Sequence, residues 1–592
     1  MPPVPSPAHR WSSQLMSLAL MLSLGACTSP HAEAPAPSAK STTPKTQEAT
    51  GRSAAAPVPS TTVPPVAPVY VAPAPAAPPP PPMPMPMSTP AMAQRMAPVM
   101  GLPAPVVVPP TMKDTARYQH FAENPWKRVT EDPLSTFSID VDTGSYANVR
   151  RFINRGQMPP VDAVRVEEMV NYFGYRYTPP PAAAPHPFGI DVQLAASPWG
   201  KDRGLMRIAI QGKDVAKATL PPANLVFLVD VSGSMSPVDR LPLVQSALRL
   251  LTQQLRPVDK VSLVTYASGV QLVLPPTSGA EKSTITQAID RLVSRGGTDG
   301  EGGLRLAYTQ ARASFMEGGI NRVLLATDGD LNVGVTDPNE LKRLIETQRK
   351  EGISLTALGV GDRNYNEALM KKLADAGDGS YHYLDSLQEA HKVLVHQFTS
   401  TLAVIAQDVK LQLELNPEAV AEYRQIGYEL RALTREQFNN DTVDAGDIGA
   451  GHSVTALYEL IPVGGKGHVD PLRYQPRDKA SASAAHTPSP HSHELAWLKL
   501  RYKPPGQTES ILMQWPVPRP TQGWPALSKA DVDFRFATAI ASWGQWMRGS
   551  TQIGTFGPDD FIALAKSGKG EDSYGHRAEA IRLMELSQSL KR

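Results

Sequence analysis

Between residues 224 and 401, apolar stretches of strand length alternate with segments of helical periodicity. The first stretch, Asn224–Asp230 (NLVFLVD), is apolar almost throughout, as expected of a strand buried on both faces of a parallel sheet. The pattern predicts further strands at 260–267, 270–274, 322–327 and 353–360, and helices at 239–255, 281–293, 302–316, 339–351, 366–376 and 388–401. Such alternation indicates an open, mostly parallel α/β sheet with helices on both faces, which binds ligands beyond the carboxyl ends of its strands.

Oxygen-bearing side chains follow two of these strands and also stand in a third loop. The first strand ends in Asp-x-Ser-x-Ser, the third loop is Arg-Gly-Gly-Thr, and the strand at 322–327 leads into Thr-Asp-Gly. The candidate ligands are Asp230, Ser232, Ser234, Thr298 and Asp328. Hydroxyl and carboxylate oxygens are the donors that Mg²⁺ prefers. These three loops contain no histidine to serve as a general base beside a metal.

This constellation resembles the metal-ion-dependent adhesion site of von Willebrand factor type A domains. The resemblance implies that Mg²⁺ or Mn²⁺ binds to the two serines and the threonine, with the aspartates acting directly or through water. It also implies that an exposed carboxylate of a protein partner completes the coordination shell. Two acidic residues next to Thr298, Asp299 and Glu301, are expected either to support the site or to weaken its attraction for such a partner. A dinucleotide-binding fold is disfavoured, because the first strand is not followed by G-x-G-x-x-G.

The segments on either side of this domain have a different character. Strands are predicted at 188–195 and 205–212 before it, and at 409–415, 423–430, 453–462, 495–502 and 510–517 after it. The economical arrangement is a β-sandwich built from both sides, with the α/β domain inserted. The last region is helical, with Phe534, Ala537, Ile540 and Trp543 at helical spacing in the helix predicted over 531–549, so these side chains are expected to pack against the sandwich.

The first residues resemble an export signal for a lipid-anchored protein. Leu15–Leu24 is an apolar run of signal-peptide length, and Gly25 and Ala26 precede Cys27, the chain's one cysteine. The resemblance to the bacterial lipoprotein processing box implies acylation of Cys27 and membrane attachment. Thr28 in the next position implies the outer membrane by resemblance to Gram-negative sorting rules. An ordinary export signal with a chance cysteine is the alternative.

The composition is uneven, because many of the chain's 59 prolines fall between Thr28 and Pro110. Proline lacks an N–H and fixes φ, so this segment is expected to be a disordered spacer.

The formal net charge of +2 gives no support for a nucleic-acid-binding protein. With one cysteine, an internal disulfide and a zinc site of several thiolates are both excluded.

Three further motifs have a functional and a structural interpretation. Asp140-x-Asp142 is similar to the phosphatase Asp-x-Asp pair but lacks its Gly-Thr continuation, so we expect the carboxylates to cap the helix predicted from Ser145. The acidic, glycine-rich stretch 441–451 is read as a turn rather than a calcium loop. The histidines of a Ser/Ala/Pro-rich insertion are assigned to a disordered surface loop rather than to a metal site, and they are His486, His491 and His493.

Most of the folded part resembles bacterial YfbK-type von Willebrand factor A lipoproteins, through STFSIDVDTGSYANVRRF, VFLVDVSGSM and GHSVTALYEL. The predicted division is 1–27 signal peptide and lipobox, 28–112 linker, 115–222 N-terminal α+β region, 223–402 type A domain and 403–592 sandwich with helices. The favoured function is a non-enzymatic cell-envelope lipoprotein that binds a protein partner through a divalent metal. A metal-dependent hydrolase and a scaffold of an envelope complex are the alternatives.

Overall fold

The computed structural model describes residues 118–181, 183–329, 338–361, 366–443, 445–470, 472 and 490–591. The predicted signal peptide, Cys27 and the proline-rich segment lie outside these residues. The strands are β1 Lys127–Arg128, β2 Leu134–Ser138, β3 Phe188–Ala196, β4 Gly204–Gly212, β5 Ala223–Asp230, β6 Lys260–Tyr266, β7 Val270–Ser278, β8 Ile320–Thr327, β9 Ser354–Val360, β10 Tyr381–Leu384, β11 Val404–Leu415, β12 Val420–Ile426, β13 Ile448–Gly449, β14 Ser453–Pro462, β15 Glu494–Lys503 and β16 Ile511–Pro518.

The helices fall into a central set and two flanking sets. They are α1 Gly144–Asn154, α2 Val166–Asn171, α3 Leu241–Gln254, α4 Lys282–Asp290, α5 Gly300–Ala313, α6 Pro338–Lys350, α7 Glu367–Ala376, α8 Leu387–His391, α9 Phe398–Leu402, α10 Arg435–Phe438, α11 Val532–Arg548, α12 Pro558–Ser567 and α13 His576–Leu590. Within the described part of the chain, no helix combines the length and the apolar character needed to cross a membrane.

The central sheet has the strand order β10-β9-β8-β5-β6-β7. All neighbours are parallel except β6 and β7, which are antiparallel. Side chains of β5 alternate between two cores: Leu225, Phe227 and Val229 pack with α3 and α4, whereas Val226 and Leu228 pack with α5, α6 and α7. The continuous apolar run of β5 is therefore explained by helices on both faces, and the predicted α/β domain is confirmed.

Two further sheets combine strands from before and after this domain. One has the order β1-β12-β14-β4-β3, and the other has the order β13-β11-β15-β16, with β2 pairing antiparallel to β11. Ile208 and Ile210 of the first sheet share one buried core with Leu411 and Leu498 of the second. The predicted β-sandwich with an inserted α/β domain is confirmed.

The C-terminal helices cover the outer face of the first sheet. Trp543 of α11 is fully buried in a core with Leu205 of β4 and Leu457 of β14, together with side chains of α1, α2, α12 and α13. The indole N–H of Trp543 donates to Ser587 Oγ of α13 at 3.0 Å. Because both faces of β4 are covered, every residue of that strand is buried.

Around the inserted domain, one local prediction was wrong and one strand was missed. The last predicted helix, 388–401, is interrupted: a π-helical turn, Lys392–His396, separates α8 from α9. The short strand β10 was not predicted, because four residues after a glycine-rich turn carry too little periodicity.

The predicted capping role of Asp140 and Asp142 was also wrong. The residue before α1 is Thr143, and it makes no side-chain cap hydrogen bond. Instead Ser145 N donates to Glu168 Oε2 of α2 at 2.9 Å. Asp142 pairs with Lys371 at 3.0 Å and with Arg431 at 3.1 Å, so the aspartates hold distant segments together rather than one helix end.

The buried indole of Trp543 gives the first testable prediction. Trp543→Ala should lower the free energy of unfolding by about 3–5 kcal/mol, because it opens a cavity in the core between α11 and the first sheet. Denaturant unfolding followed by circular dichroism measures the loss. Trp546→Ala, which removes a partly buried indole of the same helix, is the matched control and should cost clearly less. Equal losses in the two variants would contradict this assignment of the core.

The second prediction concerns His382 of β10. Burial lowers the pKa of its imidazole to about 4, an effect that Asp142 and Glu389 oppose and Lys392 reinforces. The folded chain therefore takes up this proton less readily than the unfolded chain, whose histidine titrates near 6.5. The contribution of neutral His382 to the free energy of unfolding is fully present above pH 6.5. It is lost as the pH falls toward 4, and the loss is about 1–3 kcal/mol.

Unfolding measured at several pH values tests this prediction. His382→Gln should flatten the acid limb between pH 6.5 and 4, since the amide does not titrate. His120→Gln, which changes an exposed histidine, is the control and should leave that limb unchanged. An unchanged acid limb in His382→Gln would show that the imidazole is not held neutral by the fold.

Candidate metal centre at the strand tips

The first of the three loops starts at the end of β5, where Asp230 is fully buried. Its Oδ1 accepts a hydrogen bond from Ser232 N at 2.8 Å, and its Oδ2 accepts one from Thr327 Oγ1 at 3.0 Å. Thr327 is the last residue of the adjacent strand β8, and its Oγ1 also accepts from Gly329 N at 3.1 Å. One carboxylate therefore fixes the position of two loops at the carboxyl ends of neighbouring strands.

The serines of the first loop lie beside the second loop. Ser232 Oγ and Ser234 Oγ are 3.0 Å apart, and Gly233 N donates to the carbonyl of Gly296 at 3.0 Å. Thr298 follows two residues later, is 8% exposed and stands two residues before the start of α5. The structure thus brings the loop that carries Thr298 against the Asp-x-Ser-x-Ser turn.

The third loop contributes Asp328, which is buried next to Arg240. The Arg240 guanidinium donates to Asp328 Oδ2 and, through the same nitrogen, to the carbonyl of Ser234 at 2.8 Å. Gly361 has φ +79°, and a Cβ there would lie 2.5 Å from Arg240 Nε, so this glycine leaves room for the guanidinium. Arg240 therefore joins the first loop to the third.

Sequence reasoning missed Arg240. The available signal was its place directly before α3, six residues after Ser234, in a site whose other charged candidates are acidic. A buried acid usually requires a partner, and this requirement pointed to a nearby cation without saying which one.

The electrostatic state of Asp230 differs from that of Asp328. Burial raises the pKa of the Asp230 carboxyl to about 6, and the neighbouring Asp328 adds to the rise, whereas hydrogen bonds from Ser232 and Thr327 oppose it. Among the described residues, no cationic side chain lies within ion-pairing distance of Asp230, whereas Asp328 has Arg240. The cluster therefore holds one buried carboxylate whose charge is not matched, next to two hydroxyl oxygens.

The two acidic residues after Thr298 have structural partners. Asp299 caps α5, where its Oδ1 accepts from Gly302 N at 3.0 Å. Glu301 pairs with Arg305, one turn along the same helix, at 2.7 Å. Both carboxylates are thus engaged with the helix that follows the loop.

Other predicted motifs do not form a competing metal centre. In the described ranges, no group of three or more His, Cys, Asp or Glu side chains is placed to hold a metal ion. His491 and His493 are exposed and lie 3.2 and 3.7 Å from Glu494, while His486 is outside the described residues. Asp441 Oδ1 accepts from Ser510 Oγ at 2.6 Å, which ties the acidic stretch to the residue directly before β16.

Comparisons with known proteins agree with this architecture. Residues 224–396 match the model of the von Willebrand factor type A domain, residues 112–207 match a model described as von Willebrand factor, and residues 400–590 match "Uncharacterized protein YfbK, C-terminal". The chain therefore contains a von Willebrand factor type A domain, a class that typically mediates protein–protein interactions. These matches indicate no enzyme family.

A relative that matches most of the chain defines the family. "Uncharacterized protein YfbK" of Escherichia coli K12 is 49% identical over 481 residues, which cover 80% of this chain and 82% of that protein. The chain belongs to the YfbK family.

More distant similarities concern smaller parts of the chain or the fold alone. Matrilin-1 of the mouse is 30% identical over 201 residues, 31% of this chain and 37% of that protein. A solved structure described as von Willebrand factor type A from Catenulispora acidiphila has a TM-score of 0.37 at 16% identity, and covers 69% of this chain and 90% of that one.

The pairing of Arg240 with Asp328 gives a third prediction. In EDTA, Arg240→Gln should lower the free energy of unfolding by about 3–5 kcal/mol, because it leaves Asp328 buried without its cation. Arg249→Gln is the matched control: its Asp290 partner is exposed, so the loss should be about 0–1 kcal/mol. Chemical denaturation of the three proteins under one condition makes the comparison, and similar losses in the two variants would contradict a buried pair.

Proposed function

We propose that this chain binds a protein partner through a divalent cation held at the tips of β5 and β8. The observation that carries the proposal is the state of Asp230: a fully buried carboxylate, fixed by two hydrogen bonds, with no cationic side chain beside it in the described residues. A divalent ion would supply the missing positive charge. The adjacent hydroxyls and carboxylates are hard oxygen donors, which suit Mg²⁺ or Mn²⁺.

The residues that would hold the ion are those found by the family resemblance. They are the hydroxyls of Ser232, Ser234 and Thr298, with the carboxylates of Asp230 and Asp328 acting directly or through water. When bound, the ion supplies an electrophilic position that a carboxylate of the partner completes. Arg240 neutralises Asp328 in the protein, which leaves the centre less negative and so favours an acidic group in the partner.

The surface around the cluster supports a docking role. Val238 is 83% exposed in the first loop, and Val293 is 64% exposed just before the second. The two loops are joined by Ser236 Oγ and Ser294 Oγ, which are 2.8 Å apart, and the exposed Arg295 adds a positive charge. Arginine is enriched at protein interfaces and among the residues that carry their binding energy, and the two exposed valines add apolar area beside it.

We also propose that the protein acts in the cell envelope, anchored by lipid on Cys27, with the outer membrane as its site. The support is the sequence pattern of an apolar run followed by Gly25, Ala26 and Cys27. Incorporation of radiolabelled palmitate in the producing bacterium, lost in Cys27→Ala, would test the anchor. Labelling that survives the substitution would contradict it.

The fourth prediction tests the cation site without a partner. Loss of an outer-shell contact typically weakens metal binding by roughly 10- to 100-fold. Asp230→Ala removes the central carboxylate and should therefore weaken Mn²⁺ binding by more than that. Electron paramagnetic resonance of free Mn²⁺ gives the affinity. Asp290→Ala, an exposed aspartate of α4, is the control and should bind as wild type does. Wild-type protein that binds no Mn²⁺ at millimolar concentration would refute the site.

A pull-down from envelope extract then tests the function. Partner capture should require Mg²⁺ and should be lost in EDTA and in Asp230→Ala, while Asp290→Ala retains it. A partner captured equally in EDTA would show that binding does not depend on the ion. An activity screen with and without Mg²⁺ separates this proposal from the hydrolase alternative.

A further inference from the structure

A polar cavity lies at the amino ends of the strands of the central sheet, opposite the strand tips, between the inserted domain and the sandwich. It has a volume of about 290 Å³. Its walls come from Arg322 on β8, from Asp375 in the last turn of α7 and Asp378 after it, and from Arg431 and Asp447 of the C-terminal region. Arg322 and Asp328 stand at opposite ends of β8, about 20 Å apart at the rise of an extended strand. The cavity is therefore separate from the proposed cation site.

Arg322 is the unusual feature of this cavity. It is 3% exposed, and its Nη1 donates to Thr356 Oγ1 at 2.7 Å. Its Nε has no hydrogen-bond acceptor among the described residues, and no carboxylate there lies within ion-pairing distance of the guanidinium. Burial lowers the pKa of Arg322 to about 10, although Asp447 and Asp378 oppose that effect from a distance. A buried guanidinium that lacks an anion is costly unless something else supplies one.

The other charged groups of the cavity are already paired to different degrees. Arg431 contacts Asp140 at 3.0 Å and Asp375 at 3.8 Å. Asp378 pairs with Arg349 at 2.8 Å, from outside the cavity wall. Arg431 therefore already pairs with carboxylates of the protein. Arg322 does not, so an entering anion can pair with Arg322 more readily than with Arg431.

Carboxylates outnumber cations among the side chains that line this cavity. Four aspartates line it against two arginines, while Arg349 and Lys371 act on two of these aspartates from outside the lining. Burial raises the pKa of Asp375 to about 7, with Arg431 opposing and Asp140 adding to the rise, although its side chain is still 45% exposed. A simple anion such as phosphate would satisfy Arg322 but would add to this negative charge. A ligand that also carries a cation avoids that repulsion.

We propose that this cavity binds a small zwitterion of the amino-acid class, with its carboxylate on Arg322 and its ammonium group facing Asp375 and Asp447. The volume is near the lower end of the range of small-molecule pockets, about 300–1,000 Å³, which suits a single amino acid. Arg322 belongs to the inserted domain and Asp447 to the sandwich. A bound molecule therefore bridges the two parts of the fold, and its binding is independent of the proposed metal-dependent function.

The experiment uses the full chain in EDTA, so that the strand-tip site is empty of metal. Thermal unfolding and isothermal titration calorimetry are run with glycine, alanine, glutamate and lysine, and with acetate, methylammonium and inorganic phosphate as single-charge probes. At least one amino acid should raise the unfolding midpoint saturably, while acetate, methylammonium and phosphate bind at least about tenfold more weakly, because each loses one of the two charge-assisted contacts.

Substitutions then assign the contacts. Arg322→Gln and Asp375→Asn should each weaken binding by roughly 10-fold or more, and Arg249→Gln, which removes an exposed arginine elsewhere, should not change it. Asp375→Asn keeps the test decisive if Arg322→Gln does not fold, since the Asp375 side chain is 45% exposed and its replacement disturbs the fold less. The proposal is overturned if no amino acid binds at millimolar concentration, if acetate or phosphate binds as tightly, or if binding survives both substitutions.

Discussion

The pairing of β2 with β11 is the constraint on which the architecture depends. β2 precedes the inserted domain and β11 follows it, and their antiparallel ladder runs from Leu134 opposite Glu414 to Ser138 opposite Lys410. This ladder pairs a strand from before the inserted domain with a strand from after it, so the second sheet is complete only when the chain has returned from the domain. The chain also leaves and returns at nearby points: a Cβ at Gly212, at the end of β4, would lie 2.9 Å from Ile405 Cδ1, at the start of β11. The inserted domain thus begins and ends at one place on the sandwich.

Buried ion pairs set how the inserted domain sits on its neighbours. Lys371 of α7 contacts both Asp142 and Glu168, and Arg165 pairs with Glu168 and with Glu367. The pKa of the Glu168 carboxyl is held below its usual range by Arg165 and Lys371, which outweigh its burial. Buried pairs recover their desolvation cost only with good geometry, so they add less stability than their number suggests. Here they join α7 to α2 and to the segment directly before α1.

The sequence allowed prediction of most elements whose pattern is local. The apolar run of β5, the Asp-x-Ser-x-Ser turn after it and the helical spacing of Phe534 and Trp543 each predicted a feature that the structure contains. The five residues of the proposed metal site were named from the turn and from family resemblance, and the three loops that carry them do lie together. Their metal binding is still a prediction.

The features that could not be predicted from the sequence depend on contacts between residues that are far apart in the chain. Arg240 reaches Asp328 across 88 positions, and Glu168 takes the capping role that Asp142 was expected to have. The cavity around Arg322 is formed by segments that come together only when the sandwich closes around the inserted domain. No spacing rule within one segment contains this information.

The double connection of the inserted domain has a mechanical consequence. A pull on the strand tips reaches the sandwich through two covalent links, after β4 and before β11, which enter different sheets of the same core. The load is therefore shared by two peptide segments in parallel and spread over two hydrogen-bonded ladders. A domain joined at one end would concentrate the same force on a single peptide.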